Sequence, residues 1–365
     1  MDVELRPAKV TPPGRIIRRE LEARGWTQKD LAEITGRPEQ VVSQIIQGRK
    51  QVTPETALQL AAAFGTSADL WLNLEANYRI YQALQVFGPS EIERRSRLYS
   101  LTPVSELVKR GWIQASDSLD DLERQVCSFL GIASLAEQPG LAVNFRQGQA
   151  STPETAAEMA WVKRVEHLAR AQMVAAYAPE RLRAAIPGLL AFSSEPEGMK
   201  QAPDILRGLG VHFVIVPHLP HTYLDGAAFT FENHPVVALT LRYDRIDSFW
   251  FTLLHELAHI VAGHAGLYLD NLDEQNGNQA ESEANRLAQD WLMAPDAFAR
   301  FVSDNKPYFS RGAVQAFAER QGRHTGIVVG RLHYENLIPY KNLRGWLVRA
   351  KPYLQAWIDV AEPSL

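Results

Sequence analysis

Phe249 to Ala262 reads FWFTLLHELAHIVA, and the reading of this stretch decides the rest of the chain. Its apolar run (Trp250, Phe251, Leu253, Leu254, Leu257, Ala258, Ile260, Val261) predicts a buried helix carrying polar side chains in the order H-E-L-A-H. His255 and His259, four residues apart, project one above the other from one face, so both imidazoles reach a single metal ion. Glu256 lies about 100° round from His255 at about 3.6 residues per turn, beside the ion rather than on it. That is where a general base for a metal-activated water belongs. Burying two imidazoles and a carboxylate without an ion would be costly.

Catalytic zinc commonly keeps three protein ligands and one open position, so a third donor must come from elsewhere. The next helical pattern, Ala280 to Met293 (AESEANRLAQDWLM), offers Glu281 and Glu283. Glu281 shares a face with Ala284, Asn285, Ala288 and Leu292, the small apolar face that would pack on the first helix. Glu283 points elsewhere, so Glu281 is preferred while Glu283 stays open as the alternative. Asn285 is placed to orient Glu281 or a histidine. His264, five residues past His259, falls near the other face and is expected to support the site rather than bind the ion. His218 and His221 are separated by Pro220, which breaks helical register, so no second metal site is expected there. Asp244, Arg245 and Asp247 are expected to form ion pairs ahead of the helix, with Asp247 or Ser248 capping it.

The segment RYDRIDSFWFTLLHELAHIVAGH, followed by ESEANRLAQDWLMAP, resembles the ImmA/IrrE family of bacterial zinc metallopeptidases. The resemblance implies an α+β zincin-like domain with Zn2+ on His255, His259 and Glu281 and with Glu256 as base. It also implies a protein substrate, since family members typically cleave a helix-turn-helix repressor and so relieve repression. Ahead of the helix, Val211 to Val216, Ala227 to Phe231 and Val236 to Leu241 are β-branched and aromatic runs separated by Pro, Gly and Asn, hence short strands. A strand edge there would bind extended substrate backbone. After Pro295, Gly312 to Arg320 and Ile327 to Leu332 follow, with Tyr334 or His324 as a candidate oxyanion donor. Lys341 to Trp357 reads as a helical extension.

Residues 14 to 84 read as five helices with short connections, an arrangement suited to a tight helix-turn-helix. Thr27 caps the second, Gly36 ends it, and Pro38 starts the third at a first-turn position. The sequence TPETALQLAAAFGTSADLWLNL resembles lambda-repressor-like, Cro-type modules and, more narrowly, HigA-type antitoxins. The resemblance implies a recognition helix from Pro38 to Gln47 in the major groove of double-stranded operator DNA. Val42, Ile45 and Ile46 would be core, leaving Glu39, Gln40, Ser43 and Gln44 outward. Gln40 and Gln44 have the geometry to read adenine. Arg37, Arg49, Lys50 and the amide end near Gln28 are candidate phosphate contacts. Glu39 departs from this pattern, since a carboxylate repels phosphate unless it accepts from a cytosine amino group.

The expected organisation is multidomain α and α+β: an all-α helix-turn-helix domain at 1–86, a helical connector at 87–194, the metallopeptidase domain at 195–345 and a helical tail at 346–365. The connector shows helical patterns (Glu91 to Leu101, Val104 to Arg110, Leu119 to Leu130, Thr155 to Tyr177, Glu180 to Ala185) broken at Gly88-Pro89 and Pro139-Gly140, with Trp161, Val165, Leu168 and Met173 as an interhelical seam. A net charge of −4 gives no global basic bias, so nucleic-acid contact rests on a local patch. Cys127 is the single cysteine, which excludes an internal disulfide and fits a reducing cytoplasm. No signal peptide or membrane span is visible. The expected function is a DNA-binding regulator, a homodimer on a two-fold operator, whose zinc endopeptidase domain cleaves a repressor, either itself or a partner. The alternative is a HigA-like antitoxin and repressor whose zinc domain is a non-hydrolytic sensor or binds a toxin.

Overall fold

The computed structural model describes residues 10–86, 91–140, 155–264, 266–270 and 279–359. It is multidomain α and α+β, with two compact units, residues 1–94 and 95–365. The first unit contains α1 (Pro13–Arg24), α2 (Gln28–Thr35), α3 (Glu39–Ile46), α4 (Pro54–Phe64) and α5 (Ala68–Val86). Local chemistry sets these boundaries. Thr27 accepts from the Asp30 amide while Asp30 accepts from the Thr27 amide, satisfying two otherwise orphaned donors at the start of α2. Gly36 ends that helix at φ 65°, a conformation that favours glycine. Pro38 stands one place earlier than expected, as the extended residue before α3 rather than inside it. Ile17, Leu31, Val42, Ile45, Ile46, Leu60, Phe64 and Trp71 form the core. Gly14 permits close approach of α1 and α3, because a Cβ there would lie 2.0 Å from the Ile46 carbonyl oxygen.

The second unit is built on a four-stranded sheet of β1 (His212–Ile215), β2 (Gly226–Phe231), β3 (His234–Leu239) and β4 (Tyr268–Asp270), ordered β1-β3-β2-β4. β1 runs parallel to β3, while β2 is antiparallel to both β3 and β4. Helices cover both faces. The alternation of side chains along a strand divides them: Phe213, Ile215, Val237 and Leu239 enter one core, whereas Val214, Val216, Val236 and Ala238 enter the other. The first core is closed by α10 (Pro179–Ala191), α11 (Ala202–Gly208), α12 (Ile246–Ala262), α13 (Gln279–Leu292), α14 (Pro295–Asn305), α15 (Arg311–Gln321), α16 (Thr325–Tyr334) and α17 (Lys351–Leu354). The second is closed by α6 (Glu91–Leu101), α7 (Val104–Lys109), α8 (Leu119–Leu130) and α9 (Ala156–Ala171).

The helices expected as a connector therefore make a layer on the sheet. Trp161 donates its indole N–H to the Val216 carbonyl at 2.9 Å, and Arg110 donates to the carbonyls of Pro217 and His218 at 2.6 and 2.7 Å. The helix expected over Thr155 to Tyr177 stops at Ala171, so Met173 is exposed rather than part of a seam. The chain instead runs on so that the Gln172 side chain bonds Phe213 at the sheet edge. The expected terminal extension is broken: α17 spans four residues, and Ile358 and Asp359 pair with Ile215 of β1. Gly88-Pro89 lies outside the described residues.

Candidate metal centre

α12 is apolar on nearly every face because the sheet, α13 and α16 surround it. Its start departs from the expected side-chain cap. Asp247 is held by Arg245 through bonds of 3.1 and 2.7 Å, and the Ile246 amide donates to the Val348 carbonyl at 2.8 Å, a tertiary contact that no local sequence signal announces. Asp244 pairs with Arg349 at 2.7 Å.

His255, Glu256 and His259 are 0, 0 and 1 % exposed, so their environment is set by protein rather than by water. The two Nε2 atoms lie 3.1 Å apart, and Glu281 Oε2 stands 3.2 Å from that of His255 and 3.5 Å from that of His259. Donors about 2.0 to 2.2 Å from one ion in tetrahedral array would be about 3.3 to 3.6 Å from each other, so the three separations, 3.1 to 3.5 Å, lie within about 0.2 Å of the spacing of donors round one metal ion. Neutral imidazole nitrogens and a carboxylate oxygen so close together repel unless a cation or protons lie between them. Burial alone would raise the Glu281 pKa, but the two imidazoles outweigh it and hold the carboxyl well below the usual carboxylate range. The three side chains form a group able to hold a metal ion.

Glu281 and Glu283 contact different groups: Glu281 faces His255 and His259, and Glu283 faces His264. Gly263, at φ 73°, reverses the chain after α12 and brings His264 back toward the helix. Its Nδ1 lies 3.0 Å from His259 Nδ1, and its Nε2 lies 3.4 Å from Glu283 Oε2. A proton on His259 Nδ1 leaves its Nε2 lone pair aimed at the group shared with His255 and Glu281. Tyr268 of β4 stacks on the same imidazole with ring centroids 4.2 Å apart. Ala284, Ala288 and Leu292 are buried, the face that brings Glu281 to α12. Asn285 is half-buried and makes no hydrogen bond to Glu281 or to either imidazole among the described residues.

Sequence reasoning missed Gly226. A Cβ there would lie 2.1 Å from Glu256 Oε1 and 3.0 Å from Thr252 Cγ2, so the strand backbone is packed against the buried carboxylate. A glycine at the start of a strand was the available signal, since glycine in a strand often marks such an approach. His324 is an N-cap, accepting from the Gly326 amide at 3.0 Å. Tyr334 is linked to the group only indirectly, through ring contacts from His255 to Phe251 and from Phe251 to Tyr334.

In the first unit, Glu39 and Gln40 are exposed on the opening turn of α3, whereas Ser43 and Gln44 are half-buried further along it. Ser43 accepts from the Gln47 amide group at 3.0 Å. Arg49 and Lys50 are exposed beyond the end of α3, and Gln28 is half-buried at the first position of α2. Arg37 donates to the Gln59 side chain on α4, which holds its guanidinium against its own unit.

Residues 17–71 match the helix-turn-helix family, and residues 210–333 match peptidase family M78, described as the IrrE N-terminal-like domain. The chain is 27 % identical over 82 residues to the uncharacterized HTH-type transcriptional regulator YddM of Escherichia coli K12, covering 22 % of this chain and 87 % of that protein. It is 36 % identical over 75 residues to YbaQ of the same strain, an uncharacterized HTH-type transcriptional regulator, covering 20 % of this chain and 66 % of that one. A solved addiction module antidote protein of the HigA family from Coxiella burnetii shares 36 % identity over 21 % of this chain and 85 % of its own, with a TM-score of 0.21. The chain thus joins an N-terminal helix-turn-helix domain to an IrrE-like domain. No described helix is long and apolar enough to cross a membrane.

Proposed function

We propose that this chain is a DNA-binding transcriptional regulator whose IrrE-like domain is a zinc-dependent endopeptidase, cleaving a repressor-type protein that is either itself or a partner on the same operator. The observation that carries the reading is the convergence of three donor atoms, from His255, His259 and Glu281, beside a fully buried Glu256. When bound, the ion would supply Lewis acidity, polarising the scissile carbonyl and lowering the pKa of a water toward about 7.

The chain's own residues do the rest. Glu256 takes the proton of the attacking water on its carboxylate and returns it to the leaving amine, exchanging one donor–acceptor role for the other within a turnover. Its burial beside Gly226 fixes the carboxylate, so little reorganisation accompanies the proton transfer. His264 and Glu283 hold His259 in the tautomer that presents Nε2. β4 ends the sheet order, and the extended substrate backbone adds along it. In the first unit, Gln40 and Gln44 read bases, while Arg49 and Lys50 hold phosphates as a homodimer spans two half-sites.

The test is Glu256→Gln in the full chain. Zinc content, measured by elemental analysis, stays near that of the wild type, while cleavage of the operator-associated repressor falls by about 10²- to 10⁴-fold. Cleavage at the wild-type rate by that variant would overturn Glu256 as the base, and no cleavage by the zinc-loaded wild type would leave the HigA-like alternative, a repressor whose metal domain binds a signal or a toxin without hydrolysis.

A further inference from the structure

A cavity of about 340 Å³ opens one helical turn before His255, lined by Phe251 and Thr252 of α12, Gln289 of α13 and Tyr334 of α16. It holds none of the three proposed ligands; Phe251 on its wall joins it to them, with its ring centroid 6.2 Å from that of His255 and 6.4 Å from that of Tyr334. Its mouth carries three tyrosines, Tyr243, Tyr334 and Tyr340, which are 39, 57 and 51 % exposed. Single exposed aromatics are ordinary on a surface. Three gathered round one opening, with a fourth ring inside, mark a recognition site.

The charges on the wall are already matched. Arg245 bonds Asp247 twice and the Tyr340 hydroxyl at 2.8 Å, with its guanidinium over the rings of both Tyr243 and Tyr340. Arg331 pairs with Glu335 at 2.6 Å. Asp247 is also covered from α16, where a Cβ on Gly330 would lie 2.2 Å from its Oδ2. A charged guest would find no uncompensated partner there, and an apolar ring would find aromatic faces.

We infer that this cavity receives an aromatic side chain of the protein substrate, on the residue adjoining the cleaved bond, and so sets the enzyme's sequence preference. The inference rests on the peptidase reading and names its substrate class. The size agrees: a cavity of about 150 Å³ suffices for a benzene ring, so this one holds a phenyl or indole group with room for its stem. Phe251 on the cavity wall stands one helical turn, about 5.4 Å along the helix axis, before His255, roughly the reach from a scissile carbonyl to the end of a neighbouring side chain. Burying such a ring favours it over a methyl group by roughly 10- to 100-fold in affinity.

The experiment uses the zinc-loaded full chain and three zinc-directed probes: acetohydroxamate, N-acetylalanine hydroxamate and N-acetylphenylalanine hydroxamate, titrated by calorimetry. The phenylalanine probe should bind roughly 10- to 100-fold more tightly than the alanine probe. Ser248→Trp and, separately, Gln289→Trp should each bring that ratio close to one by filling the cavity; two variants on different helices guard against one failing to fold. A ratio near one in the wild type, with acetohydroxamate still bound, overturns the pocket and spares the metal centre. A ratio that persists in a folded variant places the ring elsewhere and overturns it too. Failure of all three probes to bind removes the metal centre itself and the inference with it.

Discussion

Gly226→Ala puts one methyl group where the structure leaves no room for it. The added Cβ would stand 2.1 Å from Glu256 Oε1, 3.0 Å from its Cδ and 3.0 Å from Thr252 Cγ2. Comfortable contact between heavy atoms begins near about 3.5 Å, so the carboxylate must retreat by roughly 1 Å or more. Glu256 is the far end of a flexible side chain, but at 0 % exposure it has no solvent to swing into. A misplacement of about 1 Å in a reacting group costs on the order of 10²-fold in rate. Overpacking of this kind also costs about 1 to 3 kcal/mol of stability. The proposed ligands are other side chains, so the metal should remain. The expected result is a folded protein with wild-type zinc content, a lowered unfolding temperature and cleavage reduced about 100-fold in a gel assay of repressor fragments. Wild-type cleavage by a folded Gly226→Ala protein would show that the position of Glu256 is immaterial, and the base assignment would fail.

His264→Ala removes the partner of His259 Nδ1, and zinc affinity measured by competition with a chelator should fall about 10- to 100-fold; an unchanged affinity would deny His264 and Glu283 any part in orienting the ligand. His212 is buried with its ring against that of His234; burial first and His234 second push its pKa down from 6.5 to about 4, against the opposing charge of Glu232. The unfolded chain therefore binds the extra proton between those values, so this residue's contribution is intact above pH 6.5 and is lost as pH falls toward 4, at up to about 1.4 kcal/mol per pH unit. Urea melts of the wild type and His212→Gln across that window should differ in slope, and equal slopes would refute the assignment. Gly14→Ala, which drives a Cβ to 2.0 Å from the Ile46 carbonyl oxygen, should destabilise the first unit by about 1 to 3 kcal/mol and weaken operator binding in a mobility-shift assay, while leaving zinc content unchanged.

The parts of the fold that could be read from sequence were those with strong local periodicity. α12 and α13 announced themselves through long apolar faces, and the face shared by Ala284, Ala288 and Leu292 was enough to favour Glu281 over Glu283. The five helices of the first unit carried caps at Thr27 and Thr53 and glycine stops at Gly25, Gly36 and Gly65. What escaped was tertiary. β4 is three residues long, too short to show alternation, and exists because β2 pairs with it. α9 ends at Ala171 without a glycine or proline to mark it, because Gln172 is claimed by the backbone of β1. The start of α12 depends on a carbonyl about a hundred positions away at Val348. His264 looked remote on a helical projection, and only the left-handed turn at Gly263 returns it to His259.

The most direct test of the whole account is the zinc K-edge absorption spectrum of the metal-loaded full chain. One zinc per chain is expected, with two imidazole nitrogens and one or two carboxylate oxygens at about 2.0 to 2.2 Å, one position open to solvent, and loss of that signature in Glu281→Ala. A fourth protein donor completing the shell, or a spectrum unchanged by Glu281→Ala, would contradict it.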